Sequence, residues 1–515
     1  MVCGMRQTLG RKIRFCLGLG VFLLAIVTAH PIVHIVRTIW KDRNEITAPP
    51  KGTADDVSRL NQTSIAETWE IPADREAAEQ QLAALLQRAR KNHLKVSIAG
   101  ARHSMGGHTI YPGGIVIDML PFNRMELDEA NNILHVQAGA RWSEVIPFVN
   151  KYHRSIEVMQ SNDDFSLGGS ISVNCHGWQF NQPPIASTVV AFRLMRADGT
   201  IVRCSRTENP ELFSLVLGGY GLFGIILDVD LRVVPNERYK IERVTVPSAD
   251  YARVFQQKTM LTSDIAMVYG RLNVCQANFL QDGIINLFHR LPGTNSIMTT
   301  LTGVKDVTLK RAIFRGGARS DYGKELRWTA EKYFDSVMDG DIFDRNAILY
   351  EPAAWFEDQS KATTDILIEC FVPPDQFEPF VEELRTIIPR HQGDLLNLTV
   401  RDLAADKDSF LRYANQPMFS LVMFFSQTRD AQGEEKTRSM TQEIIAAALR
   451  HGGRYYLPYR LHATPAQFNQ AYPQAVAFFE SKRKYDPEEL FQNEFYLKYG
   501  RSGNEPATEN NVNDK

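Results

Sequence analysis

The ten residues 99–108, A-G-A-R-H-S-M-G-G-H, constrain this chain more tightly than any other stretch. Glycine at positions 100, 106 and 107 lets the backbone turn sharply and approach a ligand closely. Successive amide N–H groups in such a turn form a concave anion site of the kind that holds a pyrophosphate. The turn carries His103, a side chain able to act as nucleophile, base or covalent tether. It has neither the G-x-G-x-x-G spacing of a dinucleotide fingerprint nor the G-K-[ST] of a phosphate loop. Alone it could be a tight structural turn; a second loop of the same character, residues 160–178, makes the pair informative.

A chain of 515 residues exceeds what one core supports and is expected to hold two or three domains. A formal charge of -2 gives no basic excess, so nucleic acid is not an expected partner. The six cysteines lie far apart without a C-x-x-C pair, which argues against a zinc site and a dense disulfide framework. The N-terminus differs from the rest: Arg6, Arg11, Lys12 and Arg14 precede an uncharged run that continues less cleanly to Val36. A signal peptide cut near Ala29 and an uncleaved anchor reaching the roughly 20 apolar residues a bilayer needs are both open. The anchor reading predicts a membrane-anchored protein with its catalytic part on the non-cytoplasmic side.

A helix is predicted after Pro72, with Leu82, Leu85, Leu86 and Ala89 as its apolar stripe. Short strands follow at 95–98, 115–118 and 133–138, then a helix over 142–152; strands mixed with single helices indicate an α+β layout. The second loop reads Q-S-N-D-D-F-S-L-G-G-S-I-S-V-N-C-H-G-W. Its many small polar residues suit a buried phosphate or ribose, each of whose oxygens needs a donor. A polar surface loop is the alternative, although Leu167, Ile171 and Val173 suggest burial. A third segment, residues 215–231, sets four glycines before a β-branched strand, consistent with close approach to a ligand or with helix–sheet packing. From 251 to 427 short β-like runs suggest an antiparallel sheet with covering helices. Residues 305–327 read as a solvated loop, helix or lid, and Arg345-Asn346 as a solvated strand end.

Together the three segments resemble the flavin-binding domain of the vanillyl-alcohol-oxidase family, also called the PCMH-type FAD-binding fold. The resemblance implies FAD as cofactor, cradled by Ala99, Gly100, Ala101, Arg102, His103, Ser104 and Met105, with His103 either a covalent anchor or a plain histidine of the turn. The second loop is similar to the aldonolactone and alditol oxidase branch, which implies Ser161, Ser166, Gly169, Asn174, Cys175 and His176 along the FAD, and Ile226 at its adenine end. Asn162 aligns where berberine-bridge-type relatives carry a second flavin-linked cysteine, so Cys175 reads as structural. Residues 482–495, K-R-K-Y-D-P-E-E-L-F-Q-N-E-F, look like the family's closing segment, which implies that Asn493 returns to the flavin domain. Residues 455–462, Y-Y-L-P-Y-R-L-H, lack the H-W-G-K element of that branch and are closer to the decaprenylphosphoryl-ribose oxidase type, whose lysine aligns with Tyr459. The chain shares features of both branches and the active-site lysines of neither.

Oxidising a C–OH carbon needs a base within hydrogen-bond reach of the hydroxyl. Glu369 interrupts an apolar strand, where a carboxylate is costly unless paired or partly wet. Alternation with Leu367 and Phe371 turns it into a lined cavity, a buried ion pair being the alternative. Arg401 is its candidate partner or an anion clamp. Tyr459, Arg460 and His462 sit where the return segment should pass the flavin, with core packing as the competing account.

The expected organisation is α+β: anchor or signal segment 1–40, linker 41–64, a two-subdomain PCMH-type FAD domain 65–240, an antiparallel-sheet cap (substrate) domain 241–450, a C-terminal return 451–500 and a disordered tail 501–515. The expected activity is oxidation of a CH–OH group of a sugar-like, polyol, lactone or lipid-linked sugar substrate, with oxygen or another acceptor taking the electrons. A C=C reductase on the same fold and a non-catalytic flavin-binding membrane protein are the rival readings.

Overall fold

The computed structural model describes residues 29–293, 301, 307–338 and 342–501. Asp74 starts the helix Arg75–Lys91 by accepting from the Ala77 amide (3.1 Å), and Leu82, Leu85, Leu86 and Ala89 form its buried face. The strand Val96–Ala99 then pairs in parallel with Ile115–Asp118, which pairs in parallel with Glu67–Glu70. A six-stranded antiparallel sheet runs in the order Ile201–Ser205, Val189–Met195, Ile225–Pro235, Ile133–Gln137, Met125–Asp128, with Arg154–Ile156 on the far end of Ile225–Pro235. The end of the chain closes the first sheet. The Val96 amide donates to Leu490 (2.8 Å) and the Gln492 amide to Val96 (3.0 Å), so 490–492 lie along Val96 in parallel. That turn is held by Asp486, which pairs with the fully buried Lys482 and accepts from the amides of Leu490 (2.9 Å) and Phe491 (2.8 Å).

The cap is an eight-stranded antiparallel sheet ordered Ile342–Asp344, Arg238–Pro247, Asp282–Arg290, Ile265–Leu272, Asp394–Leu403, Met418–Thr428, Thr363–Val372, Arg454–Tyr455. Side chains alternate along each strand. Ile366, Ile368 and Cys370 face one way, where the helix Ala431–Arg450 covers them and in turn packs on Phe377–Arg390. Leu367, Glu369, Thr399, Arg401, Val422 and Phe424 face the other way, toward the glycine-bearing segments of the N-terminal half.

Several expectations need correction. Most of the apolar N-terminal run, residues 1–28, lies outside the described residues, and residues 29–41 form a helix. Among the described residues no helix is long and apolar enough to cross a membrane, which overturns the transmembrane segment and, with it, the membrane partner and the membrane-anchored location. The described helix is tied to protein: His34 Nε2 lies 3.0 Å from the Gly316 carbonyl, His30 and His34 pack on Tyr322, and Asp42 pairs with Arg311 (2.7 Å). The stretch 41–64 is no loose linker. Thr53–Ala54 pairs with Thr63–Ser64, Asp56 is buried and accepts from the Gly107 amide (2.9 Å), and Arg59 donates to the carbonyls of Ser360 and Thr363. Arg345 and Asn346 are buried, Arg345 donating to the carbonyls of Ile156 and Glu157. Of 305–327, residues 305–306 lie outside the described residues; the rest forms Val307–Arg315 and the start of Asp321–Met338, with Arg315 paired to Asp358 and Asp365. Residues 502–515 of the expected tail also lie outside the described residues.

Candidate functional site

The three glycine-bearing segments and the cap sheet enclose one cavity. Gly100, Ala101, Arg102, His103 and Ser104 form one wall, and Ser161, Ser166, Gly169, Cys175 and His176 a second. Gly219, Gly221 and Ile226 form a third, and Glu369, Arg401 and Tyr459 close it from the cap and the return segment. The first two walls touch. A Cβ on Gly100 would stand 1.9 Å from Ser166 Oγ, the atom to which the Ala101 amide donates (3.3 Å). Arg102 takes a left-handed conformation (φ 58°) and is pinned by Asp118 (3.2 Å), a local strain of the kind found at ligand-binding turns. Gly221 needs its freedom as well, at φ +74°.

Polar groups at this wall lack protein partners. The amides of Arg102, His103 and Ser104 meet no acceptor among the described residues, and Ser104 Oγ and Thr109 Oγ1 are buried without one. Buried donors without partners are costly, and a diphosphate supplies the acceptors they need. The wall therefore fits FAD. Four expected contact residues lie behind it instead. Ala99 is a strand residue bonded to Met119, and the Met105 carbonyl accepts from Asn61 and Arg460. Asn174 bridges Asp406 and Ser409, and Asn493 donates to the carbonyls of His108 and Tyr220 (2.9 Å each). They shape the loops.

Glu369 is the electrostatic centre of the opposite wall, only 2% exposed. Its Oε1 accepts from His176 Nε2 (2.5 Å) and Ser420 Oγ (2.6 Å), and its Oε2 from the Tyr459 hydroxyl (2.9 Å). Burial alone would push this carboxyl up; the His176 charge and hydrogen bond, then the nearby Arg401 and the Ser420 hydrogen bond, outweigh it and hold the group at about 2. Burial pushes His176 below its ordinary range, against the opposing pull of the Glu369 charge and hydrogen bond. Arg401 donates to Ser161 Oγ (2.9 Å) and to the His176 carbonyl (3.1 Å), linking the second loop to the cap. Burial, then the Glu369 charge, raises the Tyr459 phenol well above its ordinary value, keeping it protonated. Arg460 and His462 do not reach the cavity. Both pair with Glu434, Arg460 through an ion pair that leaves its Nη1 on Asn61 and the Met105 carbonyl, and His462 Nε2 at 2.8 Å. Burial pushes the Cys175 thiol up to about 12, so it lines the wall as an unreactive thiol.

Arg271, Glu351, Trp355, Phe356, Asn397 and Thr399 also line the cavity, and sequence reasoning did not single them out. Alternation from Glu369 across paired strands would have reached Thr399 and Arg271, but only with the register in hand.

Residues 76–205 match the family model described as FAD binding domain. The chain is 30% identical over 153 residues to L-gulonolactone oxidase of Mus musculus, covering 30% of this chain and 34% of that protein. It is 28% identical over 153 residues to the mitochondrial L-galactono-1,4-lactone dehydrogenase of Arabidopsis thaliana, covering 30% and 25%. It is 31% identical over 139 residues to cytokinin dehydrogenase 2 of Arabidopsis thaliana, covering 26% and 27%. The matches thus span about a third or less of these curated relatives. A cavity built on glycine turns against an antiparallel cap, joined to these similarities, defines a flavoprotein architecture. Residues 76–205 thus carry an FAD-binding domain of the PCMH type.

Proposed function

We propose that the protein is an FAD-dependent oxidoreductase that oxidises a CH–OH group of a sugar-, polyol- or lactone-like substrate. The observation that carries this reading is the ionised Glu369 carboxylate hydrogen-bonded to the cavity-facing Tyr459 hydroxyl (2.9 Å). When bound, FAD supplies the hydride acceptor. The Tyr459 oxygen keeps a lone pair for the substrate hydroxyl while its own proton points at Glu369. As the carbon loses hydride its O–H becomes strongly acidic, so even a carboxylate held far below its ordinary range takes the proton through Tyr459. Arg401, bonded to a hydroxyl and a carbonyl rather than to a carboxylate, offers its charge to the wall where negative charge develops. The relatives named for gulonolactone and galactonolactone put sugar lactones first among the substrates to try. Anaerobic addition of lactones and polyols should bleach the oxidised-flavin absorbance. If a broad panel fails while dithionite reduces the flavin, the reading falls.

His103 is the proposed covalent tether. Its ring stacks on Phe165 with centroids 4.2 Å apart. Burial, opposed by Asp164, lowers it to about 4, leaving a neutral imidazole with a nucleophilic lone pair at pH 7. Acid precipitation reads this out: yellow colour in the pellet supports the tether, and its release into the supernatant refutes it.

A further inference from the structure

The cap sheet carries polar groups well beyond the Glu369–Tyr459 cluster. Glu369 lies opposite Val422, Val422 opposite Thr399, and Thr399 opposite Arg271, so these side chains share one face. Three strand spacings put the Arg271 backbone about 14 Å from that of Glu369. A single sugar ring reaches less than half that span. Beside this row, Asn397 donates to Thr399 Oγ1 (3.0 Å), and Glu351 lines the same cavity. Arg271 pairs through Nη2 with Glu331 (3.5 Å), while its Nε and Trp355 Nε1 are buried without partners among the described residues. Phe314, Trp355, Phe356 and Phe424 close into a ring of edge-to-face contacts with neighbouring centroids 5.0 to 5.5 Å apart, and all four reach the cavity wall.

We propose that this outer half of the cavity is a second subsite for a polyhydroxylated, sugar-sized unit attached to the one being oxidised, so that the substrate is a glycoside-type alcohol. The inference rests on the proposed CH–OH oxidation for its inner subsite. Hydroxyl groups both donate and accept, which matches a guanidinium, a carboxyl, an amide and a hydroxyl gathered in one place. An anion would need donors alone and would meet Glu351. A purely apolar tail would leave the buried Arg271 Nε and Trp355 Nε1 with their hydrogen bonds unmade. The aromatic wall suits the C–H face of a sugar ring, as mixed apolar and convergent polar linings do in small-molecule sites generally.

The test titrates the FAD-loaded full-length protein, without oxygen, with sorbitol, maltitol and lactitol. The last two are the same six-carbon alcohol carrying a glucosyl or galactosyl unit. Binding is followed by the perturbed flavin spectrum and by calorimetry. At least one glycoside should bind about tenfold more tightly than sorbitol, the gain of two or three hydrogen bonds. That gain should vanish in Asn397→Leu and in Trp355→Leu while sorbitol affinity stays put. Flavin content shows that each variant is folded, and either variant suffices. Equal affinities, no binding, or a gain that survives the substitutions overturns the second subsite. Flavin reduction is scored separately. Tight, substitution-sensitive binding without bleaching supports the subsite and removes the oxidation reading; bleaching by sorbitol with no glycoside gain does the reverse.

Discussion

Gly100→Ala is the sharpest probe of how the cofactor cradle is built. The added Cβ would stand 1.9 Å from Ser166 Oγ and 2.9 Å from Ser166 Cβ. Rotating the hydroxyl away removes the first clash but not the second, so backbone must shift where two cavity walls meet. The Gly100 backbone is not in the left-handed region, so the penalty is steric alone. Forcing extra volume into packed structure costs about 1–3 kcal/mol, or about 5- to 150-fold if spent on the bound state. Fluorescence titration with FAD measures this as a dissociation constant, in a His103→Ala background where binding is reversible. Adding Ser166→Gly deletes both clashing atoms and should recover most of the lost affinity, beyond what Ser166→Gly does alone. Unchanged FAD affinity in Gly100→Ala, or no recovery in the double variant, would refute the contact between the two loops as the determinant.

Glu369→Gln leaves His176, Ser420 and Tyr459 donating to an amide that is itself half donor, so flavin content should hold while anaerobic flavin reduction slows by about 10²- to 10⁴-fold; a parental rate would remove Glu369 from the chemistry. Burial, with help from Asp164 and Glu351, raises the Asp163 carboxyl to about 7. Its contribution to stability is full below the unfolded value of about 3.9 and is lost as pH rises toward 7. Asp163→Asn should therefore raise the melting temperature more at pH 8 than at pH 4, and a pH-independent shift contradicts it. Asp486→Asn strands the buried Lys482 and should cost about 3–5 kcal/mol, read as a lower melting temperature; parental stability would mean the pair is not what holds the 486–492 turn.

Legibility followed the range of the forces. The helix Arg75–Lys91 and the strands Val96–Ala99 and Ile115–Asp118 announce themselves through local periodicity and a cap. The glycine turns stand out because only backbone sterics explain so many glycines at once. Glu369 could be placed on the cavity side from alternation alone, since a strand's pleat is a local property. What escaped was set by pairing between distant segments. Arg460 and His462 are close in sequence to Tyr459, yet Glu434 claims both, a partner no spacing discloses. Arg345 read as solvated because its acceptors, the carbonyls of Ile156 and Glu157, lie nearly two hundred residues away. The apolar N-terminus was read for length, whereas its described part is anchored by His34, His30 and Asp42 to groups near residue 316.

The alignment of 490–492 along Val96, with Asn493 bridging the carbonyls of His108 and Tyr220, has a consequence for biosynthesis. A ribosome delivers the cradle first and this brace 385 residues after His108. Cofactor capture must then wait until the nascent polypeptide has passed Asn493, and a message truncated before that codon would yield a colourless product with every glycine turn intact.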